Sequence, residues 1–185
     1  MGRKVFTALL VVSLAGGIAP AAEAKKKARP RPLTYYMNWV GDCSGSGLLA
    51  VKFVANPDDC ALFFPGLASE HVFVGPAASP FRLDASREVA VDFELTHVAQ
   101  VAAEFEVELT AVVGGDTKTV ATGTQTILAA SVGRTPVHYD LEPDKALDGK
   151  TLEGLSLTVS WTSGVSYSSI DLQNGSGAVV LGTIR

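Results

Sequence analysis

The chain is poor in the side chains from which most active sites are built. Among its 185 residues stand only two cysteines, Cys43 and Cys60, and three histidines, His71, His97 and His138. No histidine falls in an HxH or HExxH arrangement, so the paired spacing that seats a catalytic zinc is missing. No G-x-S-x-G elbow occurs either; the GSG triplets at 45–47 and 175–177 have ordinary loop composition. The absence of Cys-x-x-Cys excludes the usual redox pair. Long amphipathic helical patterns are lacking, and with them a βαβ architecture.

Positive charge is scarce outside one segment. Residues 33–185 carry 8 basic and 18 acidic side chains, while "KKKARPRP" at 25–32 alone holds five positive charges. An acidic body is unsuited to tracking a phosphate backbone, so nucleic acid is excluded as a partner. The basic, proline-containing arm reads as a solvated linker, because like charges repel and proline restricts φ. The same charges would favour contact with an anionic envelope surface.

Ahead of that arm lies an export pattern. Arg3 and Lys4 precede the almost wholly apolar Val5–Ala15, and Ala22-Glu23-Ala24 supplies small residues for cleavage. The apolar run falls short of the roughly 20 residues that a spanning helix needs. Residues 1–24 are therefore expected to be a cleaved signal peptide, residues 25–32 a linker, and residues 33–185 a single secreted domain without an integral membrane segment. In an oxidising compartment Cys43 and Cys60, with sixteen residues between them, are expected to form one structural disulfide.

What the sequence does have is alternation of period two. In "REVAVDFELTH", Val89, Val91, Phe93 and Leu95 alternate with Ala90, Asp92, Glu94 and Thr96, the mark of a strand with one face on a core. "AEFEVELTAV", "GLSLTVSW", "PVHYDL" and "LTYYMNW" repeat the pattern. Further strands are expected at Leu48–Val54, His71–Val74, Lys118–Thr122, Thr124–Ala129 and Ala178–Ile184, making eight to ten in all. Gly114-Gly115-Asp116 and Asn174-Gly175 read as hairpin turns, and short helical turns are expected at "NPDDCALF" and "PDKAL". Many short antiparallel strands imply an all-β fold: a two-sheet antiparallel β-sandwich, jelly-roll-like.

Candidate sites are sparse. Glu104, Glu106 and Glu108 form a stripe on one strand face, read as solvated surface. Asp171 and Asn174 in "DLQNGSG" resemble half of a calcium site, which ordinarily takes six to eight oxygens. Most aromatic rings share a phase with aliphatic neighbours and belong to the core. Tyr36, Phe64 and Tyr167 fall out of phase or in loops and are the candidates for a ligand platform.

The segments "TYYMNWVGDC", "CALFFPGLAS", "LDASREVAVDFEL" and "VHYDLEPDKALDGKTLEGLSLTV" together resemble secreted bacterial β-sandwich proteins and the non-catalytic jelly-roll domains attached to secreted hydrolases. That resemblance implies a module binding a glycan, another envelope component or a protein. The alternatives are a hydrolase or metal-dependent enzyme assembled from scattered His, Asp and Glu, and a structural subunit that pairs through its sheet edges.

Overall fold

The structure is a computed structural model and describes residues 31–39, 46–52, 54, 61–64, 68–75, 80–97, 102–127, 133–164, 168–172 and 177–184. Cys43, Cys60, Tyr167, Asn174 and the expected signal segment lie outside these residues, as does the Asn174-Gly175 turn.

The described residues form thirteen strands: β1 (Arg31–Trp39), β2 (Ser46–Ala50), β3 (Ala61–Phe63), β4 (Glu70–Gly75), β5 (Phe81–Leu83), β6 (Val89–His97), β7 (Ala103–Val113), β8 (Asp116–Ile127), β9 (Gly133–Leu141), β10 (Thr151–Leu152), β11 (Gly154–Ser163), β12 (Ser168–Asp171) and β13 (Ala178–Ile184). One 3-10 turn, Lys145–Leu147, lies in the expected "PDKAL" and is capped by the Asp144 carboxylate, which accepts from Ala146 N. No helix among the described residues is long and apolar enough to cross a membrane.

The all-β expectation holds, but the hydrogen bonds join all thirteen strands in one sheet rather than two separate ones. The main path runs β3-β12-β6-β13-β1-β2-β4-β11-β7-β8, with β9 on the other side of β6 and β5 bridging β13 and β10. Every pairing is antiparallel except β2 with β4. The sheet curls back on itself. Tyr139 on β9 sends its hydroxyl across to the carbonyl of Phe105 on β7, at 3.1 Å in the interior, although six other strands separate the two along the path. The Asp144 N–H likewise reaches the Val120 carbonyl of β8 at 2.8 Å.

Alternation sets which face closes on the core. Val89, Val91, Phe93 and Leu95 of β6 are buried, as are Ala103, Phe105, Val107 and Leu109 of β7 and Leu155, Leu157, Val159 and Trp161 of β11. Each buried Leu or Phe contributes about 1.5–3 kcal/mol relative to exposure, so this inward row fixes the strand register. The β7–β8 hairpin turns on Gly114 and Gly115, with Val113 opposite Asp116. Both glycines have positive φ, +60° and +89°, as a primed two-residue turn requires.

Several expectations are corrected. Lys118–Thr122 and Thr124–Ile127 are parts of one strand, β8, residues 128 and 129 of the second expected strand lying outside the described residues, because Gly123 does not break it: a side chain there would meet Leu141 Cδ2 at 2.4 Å, so glycine lets Leu141 close over the strand. The end of "NPDDCALF" is not helical, since Ala61–Phe63 pair with β12. The strand begun at Leu48 stops at Ala50, where buried Asn38 ties down the following bend by donating to Lys52 O and accepting from Val54 N. Arg31 and Pro32, expected in the linker, already pair with Thr183 and Gly182 of β13. The count exceeds ten because β3, β5, β10 and β12 are two to four residues long, too short for alternation to register.

Candidate functional site

The outer face of β9, β6, β13 and β1 carries a groove of about 550 Å³. Its floor is the small outward side of the strands: Ala90 on β6, Val180 and Gly182 on β13, and Pro32 on β1. One wall rises from the end of β9 with Asp140, Glu142, Pro143 and Lys145; the other is the turn Ser86, Arg87 and Glu88 that leads into β6. None of the lining residues is aromatic.

The walls are built by local hydrogen bonding. Asp84, almost fully buried, accepts from the Ser86 backbone N–H at 3.2 Å and the Ser86 hydroxyl at 2.5 Å, and lies 3.7 Å from Arg87 Nε. Its own N–H donates to Gly182 O, which lays the turn over β13. A side chain at position 182 would crowd the turn: an added Cβ would stand 2.9 Å from Arg87 Cδ and 3.1 Å from Asp84 O. The two walls are also tied together. Lys145 Nζ donates to Ala85 O at 2.6 Å, and Ala85 N donates to Asp148 Oδ1 at 2.9 Å. A groove fixed in this way loses little conformational entropy on binding.

Asp140 belongs to a second cluster that adjoins the groove. Asp92 and His138 are directly opposite across β6 and β9. His138 Nδ1 is 2.6 Å from Asp92 Oδ1, and its Nε2 is 3.1 Å from Asp140 Oδ1. Carboxylate oxygens only accept, so both contacts are satisfied together by the imidazolium form. The hydrogen bond to Asp92 is the main reason that the His138 pKa is raised above 6.5. A histidine held at both nitrogens has no free lone pair for general-base work.

The residues singled out from the sequence lie elsewhere. Phe64 is buried against His71 and Phe105, with ring centroids 4.5 and 5.3 Å away, and is therefore core rather than a stacking platform. Tyr36 lies on β1 between Ala178 and Ala50, half-buried, on the same outward side as Pro32. Asp171 is in β12 opposite Ala61 and Glu94, while its proposed partner Asn174, together with Tyr167 and both cysteines, is outside the described residues. Among the described residues no three His, Cys, Asp or Glu side chains gather to hold a metal ion.

The glutamate stripe lies on the opposite side of the molecule between two rows of hydroxyl residues. Glu108 faces Thr122 and Thr158, and Glu106 faces Thr124 and Ser160. Thr119 donates to Glu108 at 2.9 Å and Thr162 to Glu104 at 3.1 Å.

Sequence reasoning did not single out Arg87, Asp140, Glu142 or Lys145. Their signal was present only in retrospect, in the small outward residues Ala90 and Gly182 that leave the floor open.

No protein-family model matches the chain, and no curated protein matches it in sequence. Among solved structures, it is similar in fold to a CocE/NonD family hydrolase from Staphylococcus aureus, at 10% identity and a TM-score of 0.58 over 86% of this chain and 37% of that one. An aminopeptidase from a marine sediment archaeon, Thaumarchaeota archaeon, aligns at 10% identity and a TM-score of 0.56, over 84% and 37% of the two chains. An α-amino acid ester hydrolase aligns at 9% identity and a TM-score of 0.55, over 83% and 36%. The likeness is one of fold, and this chain spans little more than a third of the length of each hydrolase.

Proposed function

We propose that this chain is a secreted, non-catalytic binding module of the jelly-roll β-sandwich type, and that the groove over β6 and β13 receives a glycan of the cell envelope or its surroundings. The observation that carries the reading is the groove's chemistry. Carboxylates, a guanidinium, an ammonium and a serine hydroxyl surround a floor of Ala90, Val180 and Pro32, which suits a ligand with many hydroxyls and apolar ring faces. Concavity and convergent hydrogen-bonding groups are what a polyhydroxylated ligand needs, and prolines can take the ring faces that aromatic residues take elsewhere.

The Asp92–His138–Asp140 cluster supports binding over hydrolysis. A hydrolytic histidine must face a nucleophile or a water with one nitrogen, whereas both nitrogens of His138 face carboxylates. The hydrolases of similar fold extend well beyond the region this chain matches, and their reactions are not carried over to it.

Export through the segment 1–24 and a Cys43–Cys60 disulfide complete the proposal. The test is a glycan array followed by titration calorimetry on the protein and on Ala90→Trp, which fills the floor. Loss of binding in the variant with an unchanged unfolding midpoint supports the reading. An array without hits, or binding unaffected by the bulky side chain, overturns it.

A further inference from the structure

We infer that the groove selects a saccharide that carries both an ammonium and a carboxylate group, an inference that rests on the glycan-binding reading above. The charges lining the groove are of both signs, Arg87 and Lys145 against Glu88, Asp140 and Glu142. The cations converge on one turn: Lys145 Nζ is anchored on Ala85 O, and Arg87 is held through Nε near Asp84, which leaves its terminal fork for a planar anion. Anionic groups stand on both sides, Glu88 on that same turn and Asp140 and Glu142 at the end of β9. Asp140 is engaged by His138, and Glu142 has no ion-pair partner among the described residues.

A neutral sugar entering the groove would displace water from Arg87 and Glu142 without supplying counter-charges, which costs binding energy. A singly charged sugar compensates one side only. A sugar with both groups compensates both, and its hydroxyls remain for Ser86 and Lys145. Lys145 ties the two walls together through Ala85 O at 2.6 Å, so the two ligand charges belong on one residue or on adjacent residues of the glycan.

The experiment uses the intact protein and a set of monosaccharides that differ in one charge at a time: muramic acid with both charges, N-acetylmuramic acid without the ammonium, glucosamine without the carboxylate, and N-acetylglucosamine with neither. Glycylglycine serves as a zwitterion that is not a sugar. Chemical-shift titration is expected to give the tightest binding for muramic acid, with each missing charge weakening it about fivefold. Glu142→Gln is expected to abolish the preference over N-acetylmuramic acid, and Arg87→Gln the preference over glucosamine. Both side chains are exposed, so the unfolding midpoint serves as the folding control. Equal binding of all four sugars overturns the charge selection and leaves the glycan reading standing. Glycylglycine binding as tightly as muramic acid overturns the requirement for a sugar, and the absence of binding by every probe overturns both readings.

Discussion

His138 and Asp92 face each other across β9 and β6 with Nδ1 and Oδ1 2.6 Å apart, and the same imidazole reaches Asp140 on its other side at 3.1 Å. The pair is a consequence of register. Buried Val91 pairs with Tyr139 and buried Phe93 with Val137, which leaves the residues between them, Asp92 and His138, side by side on the outer face.

The raised His138 pKa makes stability depend on pH. A base whose folded pKa exceeds its unfolded value contributes stability that is fully present below the unfolded value, near 6.5, and is lost as pH rises through the folded value. Urea denaturation of the protein and of His138→Asn is expected to show the protein more stable than the variant at pH 5, with the gap narrowing by pH 9. Asp92→Asn is expected to lower the His138 pKa followed by NMR, since the Asp92 hydrogen bond is the largest upward influence on it. A larger gap at pH 9 than at pH 5 contradicts the assignment.

Tyr139 stitches the curled sheet across its interior. Burial raises its hydroxyl pKa far above the usual tyrosine range, and its hydrogen bond to Phe105 O is the sole side-chain donor contact it makes among the described residues. Tyr139→Phe is expected to cost about 1 kcal/mol, the typical net value of one hydrogen bond, measured as a shift in the urea midpoint at constant slope. A change in slope would instead signal that the closure itself had loosened.

Gly47 sits directly beneath the fully buried Phe73, where an added Cβ would come within 2.1 Å of the ring. The ring cannot yield without disturbing the core. Gly47→Ala is expected to destabilise by about 1–3 kcal/mol through overpacking, and Gly47→Ala combined with Phe73→Leu to recover part of that loss.

At the β7–β8 turn, Gly114 has φ +60° with open space around its Cα. Asparagine tolerates this conformation and valine does not. Gly114→Asn is expected to fall within about 0.5 kcal/mol of the parent, and Gly114→Val to lose about 1–2 kcal/mol, read by thermal melts of the two variants side by side.

The proposed Cys43–Cys60 link has a direct assay. No free thiol is expected to titrate in denaturant, and reduction is expected to lower stability by about 3 kcal/mol, the loop-closure value for a ring of this length. Two titratable thiols in protein prepared without reductant would remove the bridge from the account.

The long strands were legible because each carries enough inward positions for alternation to be read. In β6, β7 and β11 the expected apolar residues are those found buried, and the hairpin at Gly114-Gly115 was visible in its dipeptide. The short strands were not legible, since two to four residues define no period. Phe64 shows the same effect: it follows β3, whose residues read as a helical turn, so there is no strand on which to count its phase, and tertiary packing on Phe105 decides its position. Gly123 looked like a break because its role depends on Leu141, a residue eighteen positions away. The groove was hidden for a related cause. Its walls come from residues 86–88 and 140–145, joined by Lys145 and Ala85, and no local pattern reports a contact sixty residues long.

β13 pairs at once with β1, β5 and β6, with Thr183 opposite Arg31 and Val180 opposite Ala90. Those three strands therefore meet their shared neighbour only when residues 178–184 have been made. A chain lacking them has an open seam, and the groove, whose floor includes Val180 and Gly182, does not exist until they pair. Formation of the groove therefore waits on the pairing of residues 178–184 with three neighbours at once, and a chain cut short before Ala178 would lack it.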